Sequence, residues 1–204
     1  MTDAVPAQTL LSTPAPRRAL RQVRSTLLVA SLGALRDLGR MDDYLRALPP
    51  ALHAPVLEAI PGTWMPVDTA VAHYRACDSL GCSHPEVVAI GRRVFDRLQG
   101  TLLGTAVRLS RQVGVTPWTV MPQFPRFWMR LFDGSAMHGW RLGPKEARID
   151  ILDMPLCDTA YFRSALCGQG MGVLDMFCSK AYVGERKTPG GTSPGRVSLR
   201  VQWA

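Results

Sequence analysis

The sequence predicts an α+β domain: a helical N-terminal half packed on a four-stranded antiparallel sheet, with the second half running hairpin, helix, hairpin. Three observations carry this expectation. Ser83-His84-Pro85-Glu86 is a strong helix start, a serine cap with an early proline and a glutamate three residues on. After Asp133-Gly134 the hydrophobic period changes from helical to alternating. The C-terminal string Val197-Ser-Leu-Arg-Val-Gln-Trp203 alternates strictly, apolar against polar.

Residues 1–16 hold three prolines and little periodicity, which predicts a flexible tail ahead of a single domain over residues 17–204. Arg17, Arg18, Arg21 and Arg24 follow at helical spacing and offer a basic face. The apolar stretch 26–35 begins too far from Met1 for a secretion signal, runs into Arg36-Asp37, and at about ten residues is too short to span a bilayer. Short proline-punctuated helices are expected at 44–48 and 52–60. A third is expected from near Pro66 to about Ser79, with Val67, Val71 and Tyr74 on its inner face. The helix opened by Ser83 should run to Gly114, with Val87, Val94, Leu98, Leu102, Leu109 and Val113 inward. Gly100 and Gly104 inside it suggest a close crossing.

Thr116-Pro117 caps an aromatic segment that Pro122 and Pro125 break into short helical turns. His138, Trp140 and Leu142 alternate with Met137, Gly139 and Arg141. Gly143-Pro144-Lys145 then reverses the chain, and Ala147, Ile149 and Ile151 complete a hairpin with one buried face. Asp158 can cap a last long helix to about Cys178, with Phe162, Leu166, Val173 and Phe177 inward. Strands at 181–186 and 196–203 close the fold.

Composition bounds the function. The chain has 204 residues, 47% apolar and 20% charged, with five tryptophans, which excludes a disordered profile. The net charge of +8 is scattered, so nucleic acid is disfavoured as a partner, and only the Arg17 to Arg24 group offers a patch for an acidic one. Five cysteines, an odd number without a secretion signal, fit reduced thiols and a cytoplasmic location.

His73, Cys77, Cys82 and His84 form the most metal-like group, because they are zinc-ligand types on a helix turn and the loop beyond it. Their spacing matches no standard finger, and the plainer reading is a buried cysteine, a loop cysteine and two surface histidines. Cys167 and Cys178 lie about 16 Å apart on a helix and cannot share a metal with each other, so with Cys157 they form no single site. Gly168-Gln-Gly170-Met-Gly172 resembles a phosphate loop but falls inside a helix, where close packing or a ligand against that face explains it. No serine elbow or acid/base pair stands out, and Asp133, Asp150, Asp153, Asp158 and Asp175 fall at turns, caps or strand exteriors. Trp118, Phe124, Phe127, Trp128, Trp140 and Tyr161 form either core or the wall of an apolar cavity. The candidate ligand-binding residues are Trp118, Trp128, His138, Trp140, Tyr161, Gly168 and Gly172. No catalytic or metal residue is assigned, and no cofactor.

Leu45-Arg-Ala-Leu-Pro-Pro50, Gln99-Gly-Thr-Leu-Leu-Gly104, Gly114-Val-Thr-Pro-Trp118, Phe132-Asp-Gly134 and Leu142-Gly-Pro-Lys-Glu-Ala147 resemble an uncharacterised bacterial family of about 200 residues, best known from myxobacteria. That resemblance implies no activity. More remotely, the order of elements is similar to 4-vinyl reductase-type small-molecule-sensing domains, which implies a small apolar ligand or a dimeric scaffold. Some of those domains carry a cysteine-rich zinc site, and Cys157 stands where its first cysteine falls. The final hairpin here has no cysteine, so that site is not carried over. The leading expectation is a non-catalytic bacterial sensory or regulatory domain that binds a small apolar ligand and signals through a protein partner or dimer. The alternatives are an interaction module using Arg17 to Arg24 on an acidic partner or nucleic acid, and a metal- or haem-binding protein using the His73 to His84 cluster.

Overall fold

Two antiparallel sheets and a set of helices organise the chain, which the computed structural model describes over residues 8–13, 18–98, 115–186 and 193–204. Strand β1 (Gln8–Ser12) leads to β2 (Gln22–Arg24) and α1 (Ser25–Asp37). Helices α2 (Met41–Ala47) and α3 (His53–Leu57), strand β3 (Trp64–Pro66) and helix α4 (Val67–Asp78) follow. Then come α5 (His84–Leu98), α6 (Pro117–Val120), α7 (Phe124–Leu131) and the short β4 (Phe132–Asp133). The second half is β5 (Ala136–Gly143), β6 (Glu146–Leu152), α8 (Ala160–Leu174), β7 (Ala181–Glu185) and β8 (Val197–Trp203).

The α+β class and the hairpin, helix, hairpin order are as the sequence predicts. The four expected strands are joined by a fifth, in the order β1-β5-β6-β8-β7. This corrects the reading of residues 8–12 as tail: Gln8 pairs with Arg141 and Ser12 with His138 along the edge of the sheet. A smaller sheet, β3-β2-β4, corrects the helical reading of the arginine group. Arg24 ends an extended strand, donating to the carbonyl of Gly62 at 2.6 Å and lying 3.9 Å over the Trp64 ring. Arg21 pairs with Asp133 at 2.8 Å. Both arginines are engaged within the fold.

Helix α1 is apolar nearly all round because it is enclosed. Leu27, Leu28, Leu32 and Leu35 are almost fully buried, each contributing about 1.5–3 kcal/mol relative to exposure. The inner face of α4 is Ala70, His73, Tyr74 and Cys77, whereas Val67 and Val71 are only partly covered. Helix α5 begins where Ser83 predicts, its amide and hydroxyl both donating to the Glu86 carboxylate. The rest of the predicted helix, with Gly100 and Gly104, lies outside the described residues.

Helix α8 is capped by Thr159, whose hydroxyl accepts from the Phe162 amide at 3.3 Å. Asp158, the expected cap, sits in the preceding 3-10 turn and accepts from the Gly195 amide at 2.7 Å. The helix stops at Leu174, and Asp175 accepts from the Ala181 amide to set the entry into β7. α8 lies against one face of the large sheet with α5 crossing it. No helix among the described residues is long and apolar enough to cross a membrane.

Candidate functional site

The face of the large sheet that α8 covers carries Met137, Ile149, Ile151, Val183, Leu199 and Val201. The register demands this set: Met137 pairs with Ile151 and Ile149 with Leu199, so alternate positions on neighbouring strands point the same way. Opposite them stand Leu166, Gln169, Gly170 and Val173 of α8, with Met176 and Phe177 just beyond it. Phe95 and Leu98 of α5 close one side, and Phe124, Phe127, Trp128 and Leu131 of α7 with Phe132 close another. Together these residues line a partly open cavity of about 180 Å³. An engineered apolar cavity of about 150 Å³ is known to stay dry and to bind benzene, so this volume suits a ligand of about one ring and a few further atoms.

The wall is almost wholly hydrocarbon. Its polar side chains among the described residues are Gln169, half-buried, Arg130, exposed, and the indole of Trp128. Trp128 is only 6% exposed, and its Nε1–H is buried with no acceptor within reach. Gly170 contributes open space: a Cβ there would meet Val183 at 3.5 Å, an ordinary contact.

Of the seven residues singled out from sequence, Trp128 lines this cavity and the others lie elsewhere. Trp118 packs edge-on against Trp203 with centroids 4.6 Å apart, and its indole donates to the Pro144 carbonyl at 2.7 Å, fastening the hairpin turn. His138 and Trp140 face away from α8. His138 Nδ1 bonds Ser12 Oγ at 2.8 Å, and the Arg148 guanidinium lies 4.8 Å over Trp140. Tyr161 is buried beside Tyr74, with centroids 6.4 Å apart. Gly168 and Gly172 serve helix packing. A Cβ on Gly168 would fall 2.0 Å from the Val88 carbonyl oxygen, and one on Gly172 would fall 2.4 Å from the Phe95 ring.

The residues missed were legible as core. Leu166, Val173 and Phe177 read as the inner side of α8, and Ile149, Ile151, Leu199 and Val201 as inward strand positions. Nothing in their spacing says that Gly170 leaves a void between them.

The His73 to His84 group does not assemble. His73 is fully buried, its Nδ1 bonded to the Tyr44 hydroxyl at 2.7 Å and its Nε2 to Ser31 Oγ at 3.1 Å, with Cys77 Sγ at 3.7 Å. Burial lowers its pKa from 6.5 to about 3 and pushes the Cys77 thiol well above its ordinary range. His84 instead bonds Ser164 Oγ at 2.8 Å on the surface. No three His, Cys, Asp or Glu side chains converge on a metal-sized site among the described residues. All five cysteines are free thiols, and burial pushes Cys167 up to about 11, so it is a small hydrophobe rather than a nucleophile.

No family model matches the sequence, and no curated protein matches it. Solved structures do. One, concerned with haem redox potential modulated through protein-induced porphyrin distortion, is 12% identical over 88% of this chain and 99% of its own, with a TM-score of 0.56. A point mutant of the T. tengcongensis H-NOX is 12% identical over 88% of this chain and 97% of its own, with a TM-score of 0.58. An oxygen-binding H-NOX domain related to soluble guanylate cyclases, in its oxygen complex, is 12% identical over 88% and 94%, with a TM-score of 0.52. The chain therefore has the fold of H-NOX domains, and these comparisons support neither the 4-vinyl reductase likeness nor the myxobacterial-type family expected from the sequence.

Proposed function

We propose that the chain is a non-catalytic sensory domain of H-NOX fold that holds a small apolar molecule in the cavity between α8, the large sheet and α7, and signals through a protein partner or a second copy. The carrying observation is the cavity itself, about 180 Å³ of space walled by aliphatic and aromatic side chains. Apolar pockets with few polar groups are the usual form of small-molecule sites. Filling this one removes apolar ligand surface from water without breaking a protein hydrogen bond.

Haem, which the structural relatives suggest, does not fit the residues present. Haem iron takes an axial histidine, cysteine thiolate or tyrosine, or a methionine paired with histidine. The cavity wall holds none of the first three among the described residues, and the sequence of 99–114 contains no histidine, cysteine, tyrosine or methionine. His73, the one fully buried histidine among the described residues, has both ring nitrogens occupied by hydroxyls.

Thermal unfolding in the presence of increasing toluene, with haemin in a parallel series, tests the reading. Saturable stabilisation by toluene, following the logarithmic dependence of linked binding, supports it. A stoichiometric haem complex with a sharp Soret band, and no response to toluene, contradicts it.

A further inference from the structure

Glycine stands at position 170 where the apolar stripe of α8 would carry a large side chain. Leu166 lies four residues before it, Val173 and Leu174 three and four after, and all three line the cavity with branched side chains. Nothing in the backbone requires a glycine there. Its φ is that of the helix it belongs to, and a Cβ would meet the Val183 methyls at 3.5 Å, an ordinary contact. The Cβ atoms of Gly168 and Gly172 would instead fall 2.0 Å and 2.4 Å from their nearest neighbours. A glycine inside a helix weakens it relative to alanine, and at 168 and 172 close packing offsets that cost. At 170 no such packing stands among the described residues: Val183, which would touch the missing methyl, itself lines the cavity. Gly170 also keeps part of its surface accessible, so a molecule in the cavity can reach the helix backbone.

Resting on the reading of this cavity as the ligand site, we infer that Gly170 is its specificity-determining residue, and that the ligand is an uncharged compact ring with a short alkyl chain, the chain taking the space of the side chain that α8 lacks at 170. An ionised group has no place there, because no charged side chain among the described residues is buried in the wall to offset its desolvation. Each methylene that fits raises affinity about fourfold through burial. The first that meets the wall ends the gain, so the absent side chain at 170 sets the longest chain accepted.

Benzene, toluene, ethylbenzene and propylbenzene test this, with dissociation constants measured by calorimetry on the full chain and on Gly170→Ala, and urea unfolding of both proteins alongside. In wild type the affinity should rise from benzene to a longer best member. In Gly170→Ala the best member should be shorter, with the wild-type optimum weakened about fourfold or more relative to benzene, while the urea midpoint is unchanged or higher. Three results overturn the inference and leave the cavity reading intact: benzene binding best in wild type, the same preference in both proteins, or a variant that is less stable or fails to fold, which would make Gly170 a packing glycine like Gly168. Failure of every member to bind wild-type protein overturns the inference and the cavity reading together.

Discussion

Gly168 and Val88 meet backbone to backbone: a Cβ on Gly168 would lie 2.0 Å from the Val88 carbonyl oxygen, and one on Gly91 would lie 2.1 Å from that of Ala165. Helices α5 and α8 thus cross through a reciprocal pair of glycines, one on each. The cost of two helix-interior glycines, about 1 kcal/mol each, is offset by this close approach.

Gly168→Ala should therefore destabilise by about 1–3 kcal/mol or fail to fold, since neither contact atom belongs to a movable side chain. Gly170→Ala, two residues along the same helix, meets Val183 at 3.5 Å and should be neutral or stabilising by up to about 1 kcal/mol. Urea unfolding of the two variants measures the contrast, and equal losses would contradict the crossing.

Buried neutral His73 makes stability depend on pH. Its folded pKa, about 3, lies below the ordinary 6.5, so between those values the unfolded chain binds a proton that the native chain does not. The contribution is complete above pH 6.5 and is lost as pH falls toward 3, at up to about 1.4 kcal/mol per pH unit. Unfolding free energies at pH 7, 6 and 5 should fall along that slope, and more shallowly in His73→Gln. A flat profile would contradict the burial of an uncharged imidazole.

Tyr44→Phe removes the hydroxyl that bonds His73 Nδ1 at 2.7 Å and strands a buried nitrogen. A loss of about 1–3 kcal/mol is expected. Binding of toluene should be unaffected, because neither residue lines the cavity. A coupled loss of ligand binding would show that the two regions communicate.

Chelation should change nothing. With no converging ligand set among the described residues, dialysis against EDTA is expected to leave the melting temperature unchanged, and elemental analysis to show no stoichiometric zinc. A fall in melting temperature reversed by zinc would contradict this.

Much of the fold was legible because its signals are local. Ser83 with Glu86, Thr116 with Pro117, and the alternation of Val197, Leu199, Val201 and Trp203 each mark an element without reference to the rest of the chain. The first hairpin was legible as a hairpin, but its orientation was not. Large residues occupy both faces of β5, and the inward position at 139 is a glycine because Leu11 of β1 fills that space: a Cβ there would fall 2.7 Å from Leu11 Cγ. With β1 read as tail, nothing in the local pattern marked Met137 and Gly139 as the buried face, and choosing the other set moves every side chain across the sheet. That reversal carried His138 and Trp140 out of the site. The arginine group failed for a related reason, since four residues over about two turns' length fit a helix or an extended strand equally well, and Asp133 and Trp64, which hold Arg21 and Arg24, are remote in sequence.

The most direct test of the cavity as a ligand site uses methyl-labelled methionine. Met137 and Met176 line it, two of the nine methionines in the chain. Titration with toluene should give saturable shifts of the Met137 and Met176 methyl resonances, with the remaining methionines largely unmoved. Shifts that do not saturate, or that fall on methionines away from α8 and the inner sheet face, would contradict the account.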